Sequence, residues 1–149
     1  MPGCVFSATG QNFDVDTFLV ASPWREFAEV FHRGEPTKLR TRPVCQSSGF
    51  QFGISDSDED ELETQLRESS EFLHEERAEI ERLFSFPGVE SLEFRIGLFW
   101  WEDTLCQFHS LPPEFMRLAG ELGVSVTLCI YGAHKTEQPV EQKPDASSS

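Results

Sequence analysis

His32, Arg33 and Glu35 place a candidate base, an anion-binding cation and a carboxylate within four residues, interrupted only by Gly34. Such a set could hold, or act on, an anionic small molecule. Successive residues of a strand point to opposite faces, so His32 and Arg33 diverge unless the turn rotates them. The plainer expectation is a turn held by an Arg-to-carboxylate contact. The other histidines offer less. His74 stands beside Phe72 and Leu73, His109 ends a predicted strand and His134 lies in a polar stretch, none of them at a metal spacing from a Cys or carboxylate. Asp56, Ser57, Asp58, Glu59 and Asp60 start like a calcium loop, but the sixth position holds Glu61 instead of Gly and the twelfth Arg67 instead of Glu. A helix cap followed by a solvated face accounts for that run. The G-x-S-x-G, G-x-x-x-x-G-K-[ST] and G-x-G-x-x-G patterns are absent. The residues therefore predict no catalytic group, no metal and no cofactor, and a protein that is not an enzyme.

Charge is the stronger signal. Between Ser55 and Arg82 the chain carries 12 Asp or Glu against 3 Arg, so −9 of its net −14 falls in 28 residues. At 100° per residue, Leu62, Leu66, Leu73, Ile80 and Phe84 share one narrow arc and Glu68, Glu71, Glu75 and Glu79 the opposite side. The spacing predicts one long amphipathic helix with an acidic ridge, capped near Ser57 and broken by Pro87-Gly88. Like charges at these intervals cost about 0.2–0.5 kcal/mol per pair. Arg67, Arg77 and Arg82 offset part of that. The ridge is either a solvated surface or a docking face that steers a cationic protein partner; nucleic acid is disfavoured, since its phosphates are repelled. Trp100 and Trp101 are adjacent, so one ring faces the core and the other does not. Either the chain covers the second ring, or Trp101 with Glu102 and Asp103 forms an aromatic and acidic hot spot for a protein partner.

The elements that position these residues are legible in the patterning. Cys4 to Thr9 alternates as a first strand, and a short helix follows from Asp14 or Asp16, with Phe18 and Leu19 inward and Ser22-Pro23 as its stop. Glu29 to Arg33 reads as a second strand. The basic stretch around Lys38, Arg40 and Arg42 reads as a loop. Phe50, Phe52 and Ile54 face one way and Gln51, Gly53 and Ser55 the other. Leu92 to Leu98 is the clearest strand, turning at Trp100 to Asp103 into a returning strand from Leu105 to His109. Pro112-Pro113 opens a helix buried through Phe115, Leu118, Ala119 and Leu122, Gly123 caps it, and Val124 to Tyr131 closes the domain as a strand. The order implies an α+β fold with a mostly antiparallel sheet and about three helices packed on one face.

Length suits one domain, expected over 1–133, with 134–149 as a disordered tail too polar to repay its ordering entropy. Fourteen Phe and three Trp supply a packed interior. The opening residues lack a charged and apolar leader, and no stretch approaches a membrane span, so a chain without membrane partners is expected. Cys4, Cys45, Cys106 and Cys129 are scattered, which fits reduced thiols in a cytoplasmic protein, although an even count also permits two disulfides.

Gly10, Asn12, Phe13, Asp14, Val15, Asp16, Phe18 and Leu19, then Arg33-Gly34-Glu35, Ser48-Gly49-Phe50 and the run from Leu122-Gly123-Val124 to Tyr131, together resemble a group of small bacterial domains of unknown function. The resemblance spans roughly residues 4 to 131, and its motifs are turns and strand patterns. In size, charge and architecture the chain is also similar to immunity-type proteins of toxin systems. That resemblance implies a non-enzymatic protein-binding module, an inhibitor of a basic toxin, with Glu68, Glu71, Glu75 and Glu79 steering the partner and Trp101, Glu102 and Asp103 in close contact. Two other functions stay open: an enzyme or anionic-ligand binder using His32, Arg33 and Glu35, and a structural or regulatory subunit. Oligomeric state is not legible from these residues.

Overall fold

The computed structural model describes residues 3–37, 43–55, 62–100 and 103–132. Five strands form one sheet: β1 (Cys4–Gly10), β2 (Glu29–Phe31), β3 (Ser48–Ser55), β4 (Ser91–Phe99) and β5 (Val124–Tyr131), in the spatial order β2-β3-β1-β4-β5. Every pairing is antiparallel except β4 with β5. That parallel pair needs a crossover, which α4 (Pro113–Glu121) supplies. The remaining helices are α1 (Val15–Val20), α2 (Leu62–Glu75) and α3 (Arg77–Phe84). The architecture is α+β, as the patterning predicts.

Residues directly opposed across a ladder share a face, so the register sorts the sheet. Phe6 pairs with both Phe52 and Phe94, Ala8 with Phe50 and Leu92, and Leu92 with Val124. All of these are buried beneath the helices. The other face carries Gln51, Glu93, Arg95 and Thr127, which bond among themselves and to Glu29 at the surface. The core is aromatic. The Phe6 ring meets Trp24, Phe52, Phe72 and Phe94 at centroid distances of 5.3 to 5.7 Å, within the range where ring pairs add to plain burial. Asp14 caps α1, accepting from the Thr17 N–H at 3.2 Å and its hydroxyl at 2.8 Å.

Four expectations are corrected. The single long helix is two, divided at Glu76, whose backbone (φ −103°, ψ 19°) leaves the helical region while its carboxylate accepts the Trp24 indole N–H at 3.1 Å. Beyond that break Leu83, not Phe84, is buried; the Phe84 ring lies on Gly123 instead. The stretch from Leu105 to His109 is not a returning strand, because β1 and β5 already occupy both edges of β4. And Ser55, expected on the outer face, is buried, whereas Ile54 is only half-buried. A bulge explains the swap: Cys4 pairs with Ser55 and Val5 with Gly53, which makes Ile54 the extra residue.

Candidate functional site

The bulge at Ile54 sets up the acidic face. It turns the Ser55 hydroxyl toward α2, where it donates to the Glu68 carboxylate. One and two turns further along α2, Glu71 and Glu75 are exposed. Glu68, Glu71 and Glu75 rim a shallow hollow of about 260 Å³ whose floor is Ile54 and Phe72. The Phe72 ring is fixed from behind by Phe6, Trp24, Phe52 and Phe94. The hollow thus pairs a rigid apolar floor with three carboxylates on one side of one helix. Such a shape suits a long cationic side chain, whose methylenes cover the floor while its head meets the carboxylates.

Glu79 does not belong to this face. Had α2 continued straight, Glu79 would lie within about 20° of Glu68 around the helix axis; the break at Glu76 redirects it inward. Its side chain is 14% exposed and pairs with Arg82 Nη2 at 2.8 Å. The same Arg82 nitrogen donates to the Phe18 carbonyl at 3.1 Å, and the guanidinium lies 4.0 Å from the centre of the Phe18 ring. Burial alone would raise the Glu79 pKa, but the hydrogen bonds from Arg82 and Ser22 outweigh it and hold the carboxyl below its ordinary value. By holding Arg82, Glu79 supports the contact that ties α3 to α1.

His32 and Glu35 do converge, and Asp16 joins them. The His32 Nε2 lies 2.8 Å from Asp16 Oδ2 and Nδ1 3.1 Å from Glu35 Oε2, while the His32 backbone N–H donates to Glu35 Oε1 at 2.9 Å. Hydrogen bonding to Asp16 first, then Glu35, raises the His32 pKa above the ordinary 6.5, and bonds from the His32 backbone and ring lower that of Glu35. The Arg33 backbone N–H donates to Ser48 Oγ at 2.9 Å. The turn is held by histidine and carboxylate, not by the expected Arg-to-carboxylate contact. Both ring nitrogens of His32 are thus engaged by carboxylates.

Trp101 and Glu102 lie outside the described residues, as do Lys38, Arg40, Arg42, the Asp56–Glu61 acidic run and the expected tail. Asp103 is exposed with φ +63°, a left-handed conformation that Asp tolerates better than most residues. Trp100 is half-buried, and its backbone N–H donates to the Tyr131 carbonyl at 2.9 Å. Cys4, Cys45, Cys106 and Cys129 are free thiols. Among the described residues, no group of His, Cys, Asp and Glu is arranged to hold a metal ion, and no helix is long and apolar enough to cross a membrane. Compared with known proteins, the chain matches no family model, no curated protein and no solved structure.

Sequence reasoning overlooked Ile54 and Phe72 as the floor of the acidic face, and Asp16 as a partner of His32. The first depends on a bulge that breaks strand alternation. The second is a contact across 16 residues, between the first turn of α1 and the end of β2, for which the sequence carries no local signal.

Proposed function

We propose that this protein is a non-enzymatic binding module whose acidic face receives a cationic protein partner. The observation that carries the reading is the hollow itself: Glu68, Glu71 and Glu75 along one rim above Ile54 and Phe72. A solvated ridge needs no apolar floor, whereas a receptor for a Lys or Arg side chain does. The surrounding charge, −14 overall, steers a basic partner toward the molecule and accelerates its association at low salt. The most concrete version is an immunity-type inhibitor that neutralises a basic toxin. It draws on the acidity, small size and α+β architecture of the chain. Glu79, committed to Arg82, has no part in it.

The alternative built on His32, Arg33 and Glu35 finds less support, because the imidazole is occupied by two carboxylates, those of Asp16 and Glu35. The test is comparative. The protein and its Glu71→Gln/Glu75→Gln variant are used as bait in a lysate of the source organism, at low and at high salt. The proposal expects a basic protein held by the first bait at low salt, released at high salt, and missing from the second. Equal retention by both baits contradicts it.

A further inference from the structure

The two edges of the sheet are built differently. β2 is three residues long and carries Glu29, two of the devices that keep an edge from pairing with another chain. β5 runs for eight residues, VSVTLCIY, with no charge, no proline and no bulge. Among the described helices and strands, β4 and α4 are the ones that pack closely on it. The Trp100 backbone N–H donates to the Tyr131 carbonyl, which fixes the parity of the parallel ladder. Ser125, Thr127, Cys129 and Tyr131 bond toward β4, so the backbone N–H and C=O groups of Val126, Leu128 and Ile130 point outward. Their side chains lie on the helix side but run past its cover: Leu128 is 39% and Ile130 54% exposed.

From these features we infer that β5 is a homodimer edge, pairing antiparallel with β5 of a second copy about a two-fold axis at Leu128. The strand is self-complementary in that register. Val126 then opposes Ile130 of the other copy on the helix side, and Thr127 opposes Cys129 and Ser125 opposes Tyr131 on the other face. No like charges meet.

The placement of charge leaves this edge, rather than β2, open to a second copy. Two chains of −14 repel wherever their carboxylates face each other. The acidic hollow is bordered by Ile54 of β3, three strands from β5. At about 4.8 Å per strand, the two β3 strands of such a dimer stand about 34 Å apart, several times the Debye length of about 8 Å at physiological salt. On α4, Glu114 and Glu121 are both paired with Arg117. The β5 edge therefore keeps the two acidic hollows far apart, whereas the β2 edge adjoins both Glu29 and the acidic face. An edge of eight residues is about 27 Å long, a small contact of the kind that gives weak, concentration-dependent dimers. The inference is independent of the docking hollow.

Sedimentation of the full chain under reducing conditions, from about 1 to about 200 μM, tests it. The mass should rise from monomer to dimer across that range. Ile130→Lys should weaken association at least tenfold with an unchanged circular dichroism spectrum, and Val20→Lys, an exposed site on α1, should leave it unaltered. Amide exchange at Leu128 and Ile130 should slow as concentration rises. A monomer at every concentration overturns the inference, as does a dimer indifferent to Ile130→Lys. Amides at Leu128 and Ile130 already protected in dilute monomer also overturn it, because another segment would then occupy the edge.

Discussion

The Ser55 hydroxyl donates to the Glu68 carboxylate, joining the last residue of β3 to the second turn of α2. The contact exists because the bulge at Ile54 turns Ser55 inward, and it holds the acidic rim against its apolar floor. Replacing Ser55 by Ala removes a partly buried hydrogen bond to a charged group and should cost about 1–2 kcal/mol. A lower urea midpoint with an unchanged slope is the expected reading; an unaltered midpoint would make the contact incidental.

Glu79 and Glu71 should separate cleanly, although both are acids of the same stretch of sequence. Glu79→Gln weakens the partly buried pair with Arg82 and should destabilise the fold by about 1 kcal/mol. Glu71→Gln should leave the unfolding midpoint unchanged, since Glu71 is exposed. Parallel denaturation of the two variants checks both statements.

Gly123 has two reasons to be glycine. Its φ is +73°, and a Cβ placed there would meet the Phe84 ring at 2.3 Å. Gly123→Ala should therefore lose about 1–3 kcal/mol from backbone strain and ring displacement together. Adding Phe84→Ala should recover the steric part and leave the backbone part of about 1 kcal/mol, a non-additivity that a double-mutant cycle measures.

Between Asp16 and Glu35, His32 gives the fold a pH dependence of known sign. Its pKa is raised in the folded state, so its contribution is fully present below the ordinary 6.5 and is lost as pH rises through the raised value. The melting temperatures of the protein and of His32→Asn should differ most near pH ~6 and converge toward pH ~9. A gap that widens with rising pH would contradict the assignment. At the acid end, Glu35 works in the opposite sense. Its pKa is depressed, so its contribution is present above the ordinary 4.5 and fades as pH falls through the lower folded value.

Much of the fold was legible because it rests on periodicity. The alternation of Leu92, Phe94, Ile96 and Leu98 marks β4, the pair Asp14 and Asp16 marks the start of α1, where Asp14 proves to be the cap, and Gly123 marks the end of α4, each a local signal with a local cause. The misreadings share one character: a distant residue decides the outcome. A heptad-like stripe from Leu62 to Phe84 cannot reveal that Trp24 will reach Glu76 and that the helix divides there. The alternation from Phe50 to Ser55 gives no sign of a bulge opposite Cys4. Residues Leu105 to His109 resemble a strand, yet β4 had no free edge to offer them. The acidic face was visible as charge, and its apolar floor was not, since Ile54 and Phe72 meet only in three dimensions.

The central claim, that the acidic hollow receives a cationic partner, is tested most directly by the paired capture experiment with the protein and its Glu71→Gln/Glu75→Gln variant. The account predicts a basic protein bound near stoichiometrically to the unaltered chain at low salt and lost both at high salt and in the variant. The same proteins held equally by both baits, or a partner insensitive to salt, would contradict it.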